Sequence, residues 1–279
     1  MPDYQKIYTK LPVLFQNIAC SHGGWRLRKR RYNERFFGIH KQYMSLGLQP
    51  ASAVEKYRDS RIREFVRHAA RTVPYYRTKF AELKIGPEDI AGLDDLKCLT
   101  ILTKDEVQAN LPLFKSEAFS DRETMVTHTS GTTGRGLVFP TTIDAEHRQW
   151  AIWWRFRNRN GIEFDTPCGV FGGKTIVPVN QSHPPFWRYD KPGKQIFFSG
   201  YHLRNENLQA YVDQIKKSGI KWLHGYPSDL MLVASFIIET GIKMTDRIKY
   251  ITTGAESLLI HQKDIIEKAF GARVFQHYG

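Results

Sequence analysis

A short loop rich in hydroxyl groups and glycine is the part of the sequence best suited to bind phosphate. It directly follows a predicted strand, residues 125–128, and consists of Thr129, Ser130, Gly131, Thr132, Thr133 and Gly134. The glycines permit tight turns in which backbone N–H groups face an anion, and the hydroxyl groups supply further donors. A flexible surface loop explains the same composition equally well. The lysine of a P-loop is absent from the segment, which excludes an ordinary P-loop NTPase.

The elements that would position this loop alternate between strands and helices from about residue 123 onward. Strands are predicted at residues 125–128, 195–198, 221–224, 248–252 and 273–276, and helices at residues 143–159, before Gly219, before Gly241 and at residues 258–270. This alternation predicts an α/β fold with a mostly parallel sheet flanked by helices. Ligands bind at the carboxyl ends of the strands in such sheets, so the loops after the strands are the candidate sites.

The first hundred residues have a different character. Apolar residues between Ile62 and Val73 recur with helical spacing, and Pro74 ends that helix. We therefore predict a basic, mainly helical segment over residues 1–100. An α/β core would follow over residues 101–279.

Positive charge is concentrated in the same segment. The first 80 residues hold 17 Lys and Arg against 5 Asp and Glu, within a chain whose net charge is +13. The densest run, residues 25–31, could meet nucleic acid, anionic lipid or an acidic partner. A solvated basic face is the simpler interpretation, so nucleic acid is not the favoured partner.

Composition excludes several other classes of protein. With 41% hydrophobic and 13% aromatic residues, the chain is not disordered. No apolar run approaches the roughly 20 residues of a membrane span. Gln16 and Asn17 interrupt the apolar run 11–19, which argues against a signal peptide. The three cysteines have no metal or disulfide spacing, so we expect a cytoplasmic protein with ordinary thiols.

Three loops, in order, resemble motifs of the adenylate-forming (acyl-CoA synthetase-like) superfamily. Residues 128–134 are similar to its Ser/Thr/Gly-rich phosphate loop, and residues 252–256 to the Gly-Ala-Glu adenine motif of phenylacetate–CoA ligases. Residues 277–279 resemble the start of its Tyr-Gly-x-[Ser/Thr]-Glu motif. The branch that includes phenylacetate–CoA ligase and the CapK-like proteins of polysaccharide biosynthesis is supported by segments 73–77, 102–104, 200–203 and 224–228. The likeness covers about residues 55–279.

The resemblance implies a reaction and a set of roles. A carboxylic acid would attack the α-phosphate of ATP, with Mg²⁺ as counter-ion, giving an acyl-adenylate and pyrophosphate, and usually then a CoA thioester. The loop 129–134 would hold the ATP phosphates. The adenine pocket would be lined by Gly254, Ala255 and Glu256, with Tyr278 and Gly279 beside the base and the acyl site, and the acid pocket by Tyr226, Pro227 and Ser228.

The sequence departs from the family pattern in two ways. Arg135 stands where relatives often have Pro-Lys. The chain also stops at Gly279, before the Glu of the Tyr-Gly motif, the ribose-binding Asp and the C-terminal domain with its lysine. We therefore expect the first two-thirds of an AMP-forming acid–thiol ligase. Two alternatives stay open: a non-catalytic nucleotide-binding fragment, and a binder of nucleic acid or acidic surfaces acting through residues 25–35.

Single residues near the predicted strand ends also have structural explanations. Ser228 lacks the surroundings of a nucleophile elbow, and we interpret it as the N-cap of a helix. A hydrogen-bonded packing role is the first interpretation for His128, His224 and His277, and no pair of them has the spacing of metal ligands.

Overall fold

A computed structural model describes residues 4–128, 136–244 and 246–277. The chain divides into two compact units, one formed by residues 1–33 and 153–279 and the other by residues 34–152. The helices are α1 (Tyr4–Tyr8), α2 (Val13–Arg31), α3 (Glu34–Leu46), α4 (Ala51–Thr72), α5 (Pro74–Leu83), α6 (Lys104–Ala109), α7 (Ile143–Arg159), α8 (Asn205–Ser218), α9 (Pro227–Thr240) and α10 (Ile260–Phe270). The strands are β1 (Thr124–His128), β2 (Val138–Thr142), β3 (Cys168–Gly172), β4 (Trp187–Asp190), β5 (Gln195–Ser199), β6 (Trp222–Gly225), β7 (Tyr250–Thr253) and β8 (Val274–Gln276).

The first unit is built around a six-stranded sheet with the strand order β4-β5-β3-β6-β7-β8. Its neighbours are parallel except for the edge pair β4 and β5, which is antiparallel. The predicted α/β fold with a mostly parallel sheet is confirmed. The strands β3 and β4 are additions that the sequence analysis missed, and β3 lies at the centre of the sheet.

Successive residues of β6 show how both faces of this sheet are covered. Leu223 is fully buried in a large apolar core with Ile251 of β7 and with residues of α8, α9 and α10. Trp222 points to the opposite face, where its ring contacts Trp154 in the last turns of α7. Because side chains alternate along a strand, one short segment serves both layers.

An unusual contact protects the edge strand β4. The outer backbone groups of Tyr189 pair with α2: its N–H donates to Asn17 Oδ1 at 3.0 Å, and its carbonyl accepts from Ser21 Oγ at 3.1 Å. The buried Arg188 donates to Gln16 Oε1 at 2.6 Å. An unpaired strand edge promotes aggregation, and here helix side chains satisfy it. The same Gln16 and Asn17 interrupt the apolar run in the sequence.

The second unit contains the strand that precedes the predicted phosphate loop. β1 pairs antiparallel with β2 in a separate two-stranded sheet, with Thr124 opposite Thr142. The predicted strand at residues 125–128 is present as β1, but it pairs antiparallel with β2 and lies outside the mostly parallel sheet. A small core in this unit includes Val66 of α4, Phe80 of α5 and Ile90.

Within the described residues, none of the helices is both long and apolar enough to cross a membrane.

Candidate functional site

The carboxyl ends of β5, β3, β6, β7 and β8 meet at one edge of the six-stranded sheet, because these strands are parallel. The segments that follow them are the 3₁₀ turn Gly200–His202, residues 173–174, residues 226–228, residues 254–256 and His277. Two predicted sites, the acid pocket and the adenine motif, therefore lie on adjacent strand ends. The structure thus brings residues 226–228 and 254–256 close together.

The segment after β6 turns directly into α9. Tyr226 is the N-cap residue and Pro227 occupies the first helical position, where its fixed φ suits a helix and its missing N–H costs nothing. Ser228 is thus the second helical residue, and its interpretation as the N-cap is wrong. Its hydroxyl is used differently: it bonds to the neighbouring loop rather than to its own helix.

A carboxylate joins these two loops. Glu256 Oε2 accepts a hydrogen bond from Ser228 Oγ at 2.8 Å and another from the Ser228 backbone N–H at 3.3 Å. A negative charge at the start of α9 is favourable, because the first N–H groups of a helix are unpaired and its dipole is positive there. Gln276 Nε2 donates to the Glu256 carbonyl at 2.8 Å, so β8 holds the same loop. We call these contacts the Ser228–Glu256 link.

The backbone between β7 and Glu256 has a shape that only some residues allow. Ala255 has a φ of 67°, in the left-handed region that an alanine rarely adopts. A Cβ on Gly254 would lie 3.1 Å from the ring atoms Cε1 and Nε2 of His277, so a glycine is needed for the His277 ring to pack this closely against the backbone. The Thr253 hydroxyl is fully buried and has no hydrogen-bond partner among the described residues. The end of β7 therefore holds a buried hydroxyl group without a partner among the described residues, and the chain becomes exposed only from Ala255 onward.

Below this edge lies a group of polar and aromatic side chains. Thr252 Oγ1 accepts from Trp222 Nε1 at 2.8 Å and lies 2.9 Å from His224 Nδ1. The rings of His224 and His277 stack with centroids 5.7 Å apart. Burial, together with the Arg157 guanidinium and the His277 ring nearby, lowers the pKa of His224 to about 3. His224 is thus a neutral packing residue, as its first interpretation had it.

Two tyrosines border the end of β3. Tyr201 donates its hydroxyl proton to the Gly173 carbonyl at 3.4 Å, and a Cβ on Gly173 would lie 3.3 Å from the Tyr226 hydroxyl. Tyr201 is half exposed. Gly173 therefore lies between two phenol rings, which provide apolar surface with polar ends.

Asp229 is a second carboxyl group at the start of α9. A Cβ on Gly200 would lie 3.0 Å from its Oδ2, so the end of β5 reaches this carboxylate. Burial and the nearby Glu256 charge raise the pKa of Asp229 to about 6. Above about pH 6 this carboxylate is charged in the folded protein, and its burial then lowers the free energy of unfolding.

Replacement of Asp229 by Asn should reveal that cost. Because the folded pKa lies above the ordinary value, the penalty is complete above about pH 7 and disappears as the pH falls towards 4. We expect Asp229→Asn to raise the free energy of unfolding by about 1 kcal/mol at about pH 8, and by nothing at about pH 4. Urea titrations at both pH values measure this. Asp213→Asn, on the exposed face of α8, is the matched control, and an equal gain at both pH values would contradict the assignment.

Part of the predicted site lies outside the described residues. This applies to the phosphate loop, Thr129 to Gly134, and to Tyr278 and Gly279. The described part adds residues that the sequence analysis did not assign: Thr253, Asp229 and Tyr201. Asp229 directly follows Ser228 in the helix start, and Tyr201 belongs to a segment quoted for the family branch, so both had a signal in the sequence.

Comparisons with curated proteins give two kinds of match. Protein CapK of Staphylococcus aureus is 27% identical over 272 residues, which cover 98% of this chain and 59% of CapK. Phenylacetate-coenzyme A ligase of Pseudomonas putida is 33% identical over 87 residues, 31% of this chain and 20% of that protein. The chain thus spans less than two-thirds of these relatives. No family model matches the chain.

A comparison with solved structures finds the same architecture. An open conformation of 2-hydroxyisobutyryl-CoA ligase, in complex with 2-HIB-AMP and CoA, aligns with a TM-score of 0.57 at 16% identity, over 82% of this chain and 54% of the ligase. At that identity the likeness concerns the fold. Together with the sequence matches, it confirms the predicted resemblance to the adenylate-forming superfamily, in the branch of CapK and the phenylacetate–CoA ligases.

Proposed function

We propose that this relative of CapK and the phenylacetate–CoA ligases activates a carboxylic acid with ATP and releases pyrophosphate. A carboxylate oxygen of the acid attacks the α-phosphorus of ATP, a P–O bond forms, and the bond to the pyrophosphate oxygen breaks. The acyl-adenylate then reacts with a thiol acceptor, for which CoA is our choice. We further propose that the enzyme serves polysaccharide biosynthesis and acts in the cytoplasm.

The observation that carries this proposal is the Ser228–Glu256 link. The acid pocket and the adenine motif were assigned separately, and their loops are joined by a 2.8 Å hydrogen bond. An acyl-adenylate contains both an acyl group and a nucleotide, so one product can span both loops. Tyr201 and Tyr226 on the acid side, and Thr253 and Gly254 on the nucleotide side, offer it different surfaces.

The chemistry of the described residues fits an adenine ring. Thr253 provides a buried hydroxyl group without a partner among the described residues, and the His277 ring packs against Gly254, 3.1 Å from the position a Cβ would take. The proposal includes Mg²⁺, which would bind together with ATP because the ATP phosphates supply most of its ligands. Within the described residues, no group of three or more His, Cys, Asp or Glu side chains could hold a metal ion.

The protein's own contribution is electrostatic and geometric. Charge develops on phosphate oxygens during adenylation, and preorganised donors stabilise it most when they need not move. The loop 129–134 is our candidate for these donors. Glu256 already occupies the N-terminus of α9 in this structure, so we do not assign the phosphates to that helix.

Carboxylate-dependent exchange of labelled pyrophosphate into ATP tests the function. The natural gene product is incubated with a panel of acids that includes aryl acetates and small hydroxy acids. We expect at least one acid to support exchange. Gly131→Val and Gly134→Val should each lower it about 100-fold, because a bulky side chain would turn the backbone N–H groups away from the anion, and the loss of one such donor costs about that much.

The control is Gly38→Val, because a Cβ there meets nothing within 4 Å. Exchange that survives valine at both positions 131 and 134 would show that the phosphate loop is misassigned. ATP binding without exchange for any acid would instead favour the non-catalytic nucleotide-binding fragment.

A further inference from the structure

The helix α2 is oriented opposite to an ordinary surface helix. Its inward face carries polar side chains, Gln16, Asn17 and Ser21, which bond to the edge strand β4. Surface helices of a globular protein bury their apolar side and expose their polar side. In α2 the apolar residues are left for the outward face.

That outward face combines apolar and basic groups. Leu14 is 67% exposed and Ile18 56% exposed, and Phe15 and Trp25 are half exposed. Arg26, Lys29 and Arg30 are exposed further along the helix. At 100° per residue, these positions all fall within one half of the helix surface. Asp and Glu are absent from the whole of Val13–Arg31.

The two halves of the face differ along the helix axis. Leu14, Phe15 and Ile18 occupy the amino-terminal half, and the basic residues occupy the last turns. Trp25 lies between them, with the Lys29 ammonium 5.6 Å from its ring centroid. Arg28 belongs to the inward side, where it pairs with Asp165. Tryptophan is enriched at lipid–water interfaces, and Lys or Arg beside it binds lipid phosphates.

We propose that the outward face of α2 docks on an anionic lipid surface, lying in the plane of the interface. The helix is about 28 Å long at 1.5 Å per residue, and its apolar half would enter the boundary between headgroups and acyl chains. The basic half would bind lipid phosphates. A nucleic acid explains the basic residues but leaves the exposed Leu14, Phe15 and Ile18 unused. A second copy of the chain would bring its own basic run into repulsion. This inference is independent of the proposed function.

Vesicle co-sedimentation of the intact chain tests the proposal. The vesicles are phosphatidylcholine alone, or phosphatidylcholine with about one-third phosphatidylglycerol. We expect binding to the anionic vesicles and at least tenfold weaker binding to the neutral ones. The variant Arg26→Gln, Lys29→Gln, Arg30→Gln should bind at least tenfold more weakly, because each charge near an anionic surface contributes about fivefold. Leu14→Ser with Ile18→Ser should also lose at least about tenfold.

Matched controls remove the same groups elsewhere. Leu48→Ser with Ile101→Ser deletes two apolar side chains that are at least as exposed. The matched control for charge replaces three exposed lysines elsewhere in the chain: Lys221→Gln, Lys243→Gln and Lys268→Gln. Both controls should bind like the unchanged chain, and circular dichroism and urea titration verify that every variant is folded.

Four outcomes would overturn the proposal. The first is that the chain does not bind anionic vesicles, and the second is that Leu14→Ser with Ile18→Ser leaves vesicle binding unchanged. The third is that a control variant loses as much vesicle binding as the variant it is matched to. The fourth is a dimer that these two changes dissociate, because a second copy would then cover the face. Binding to duplex DNA that depends on the basic residues and not on Leu14 or Ile18, without vesicle binding, would assign the face to nucleic acid.

Discussion

Gly225→Val should lower the free energy of unfolding by about 3 kcal/mol or more, which is the largest effect that we expect from replacing a single glycine in this chain. A Cβ at Gly225 would lie 2.6 Å from the Phe171 Cβ and 2.7 Å from the Phe171 carbonyl oxygen. Both atoms belong to β3, the central neighbour of β6. The backbone of a central strand cannot move aside without breaking its own hydrogen bonds, so the clash cannot relax locally.

Gly172→Ala is the control, since it adds a methyl group at the end of the same pair of strands. A Cβ there meets nothing within 4 Å, so we expect a change of less than about 0.5 kcal/mol. Urea titration with circular dichroism measures both variants. If Gly225→Val were as stable as Gly172→Ala, the close contact between β6 and β3 would not exist in solution.

Acid should destabilise the protein through His224, and His224→Asn should remove that contribution. The pKa of His224 is about 3 in the folded protein, against an ordinary value of 6.5. Between these values the unfolded chain binds a proton that the folded protein does not. The contribution of His224 to the free energy of unfolding is therefore fully present above about pH 6.5. Below that pH it decreases by about 1.4 kcal/mol per pH unit, so that the loss amounts to about 4 kcal/mol near pH 3.5.

The comparison of variant and unchanged chain isolates this effect. Asp229 titrates in the same range with the opposite sign, since its pKa is raised to about 6, but it is present in both proteins. Urea titrations from about pH 7.5 to about pH 4.5 should show the unchanged chain losing stability faster than His224→Asn. His183→Asn, at an exposed histidine, should follow the unchanged chain. Parallel curves for the unchanged chain and His224→Asn would exclude a buried neutral His224.

Much of the sheet unit could be predicted because its signals are local. The predicted helix 143–159 coincides with α7, Ile143–Arg159, and Gly219 and Gly241 end α8 and α9 with φ values of 68° and 67°. Apolar periodicity and glycine at a helix end are properties of short segments. They do not depend on the rest of the fold.

The missed elements depend on distant partners. β3 contains two glycines in five residues, and Gly169 is needed because Ile220, Leu223 and Phe198 crowd it. β4 includes Arg188 and Asp190, and its backbone is completed by α2, about 170 residues away in the chain. No local pattern records such a partner. For the same reason Gln16 and Asn17 indicated an interrupted apolar run and not a contact surface.

The candidate site shows the same division. The alternation of strands and helices predicts that residues 226–228 and 254–256 lie at the carboxyl ends of strands. That β6 and β7 are neighbours is known from the structure. The hydrogen bond from Ser228 to Glu256 could not be predicted, because it depends on the entry angle of α9. A serine near a helix start most often caps that helix, and here a carboxylate from the next loop competes for it.

The covering of β4 by α2 also has a consequence for biosynthesis. Tyr8 donates to the Ile176 carbonyl, and Gln16 accepts from Arg188, so the partners are 168 and 172 residues apart. At about 5–20 residues per second, a ribosome needs roughly 10–30 s to translate from one partner to the other. During that interval α2 is made but its strand is not. The contact between α2 and β4 therefore cannot form until residue 190 has left the exit tunnel.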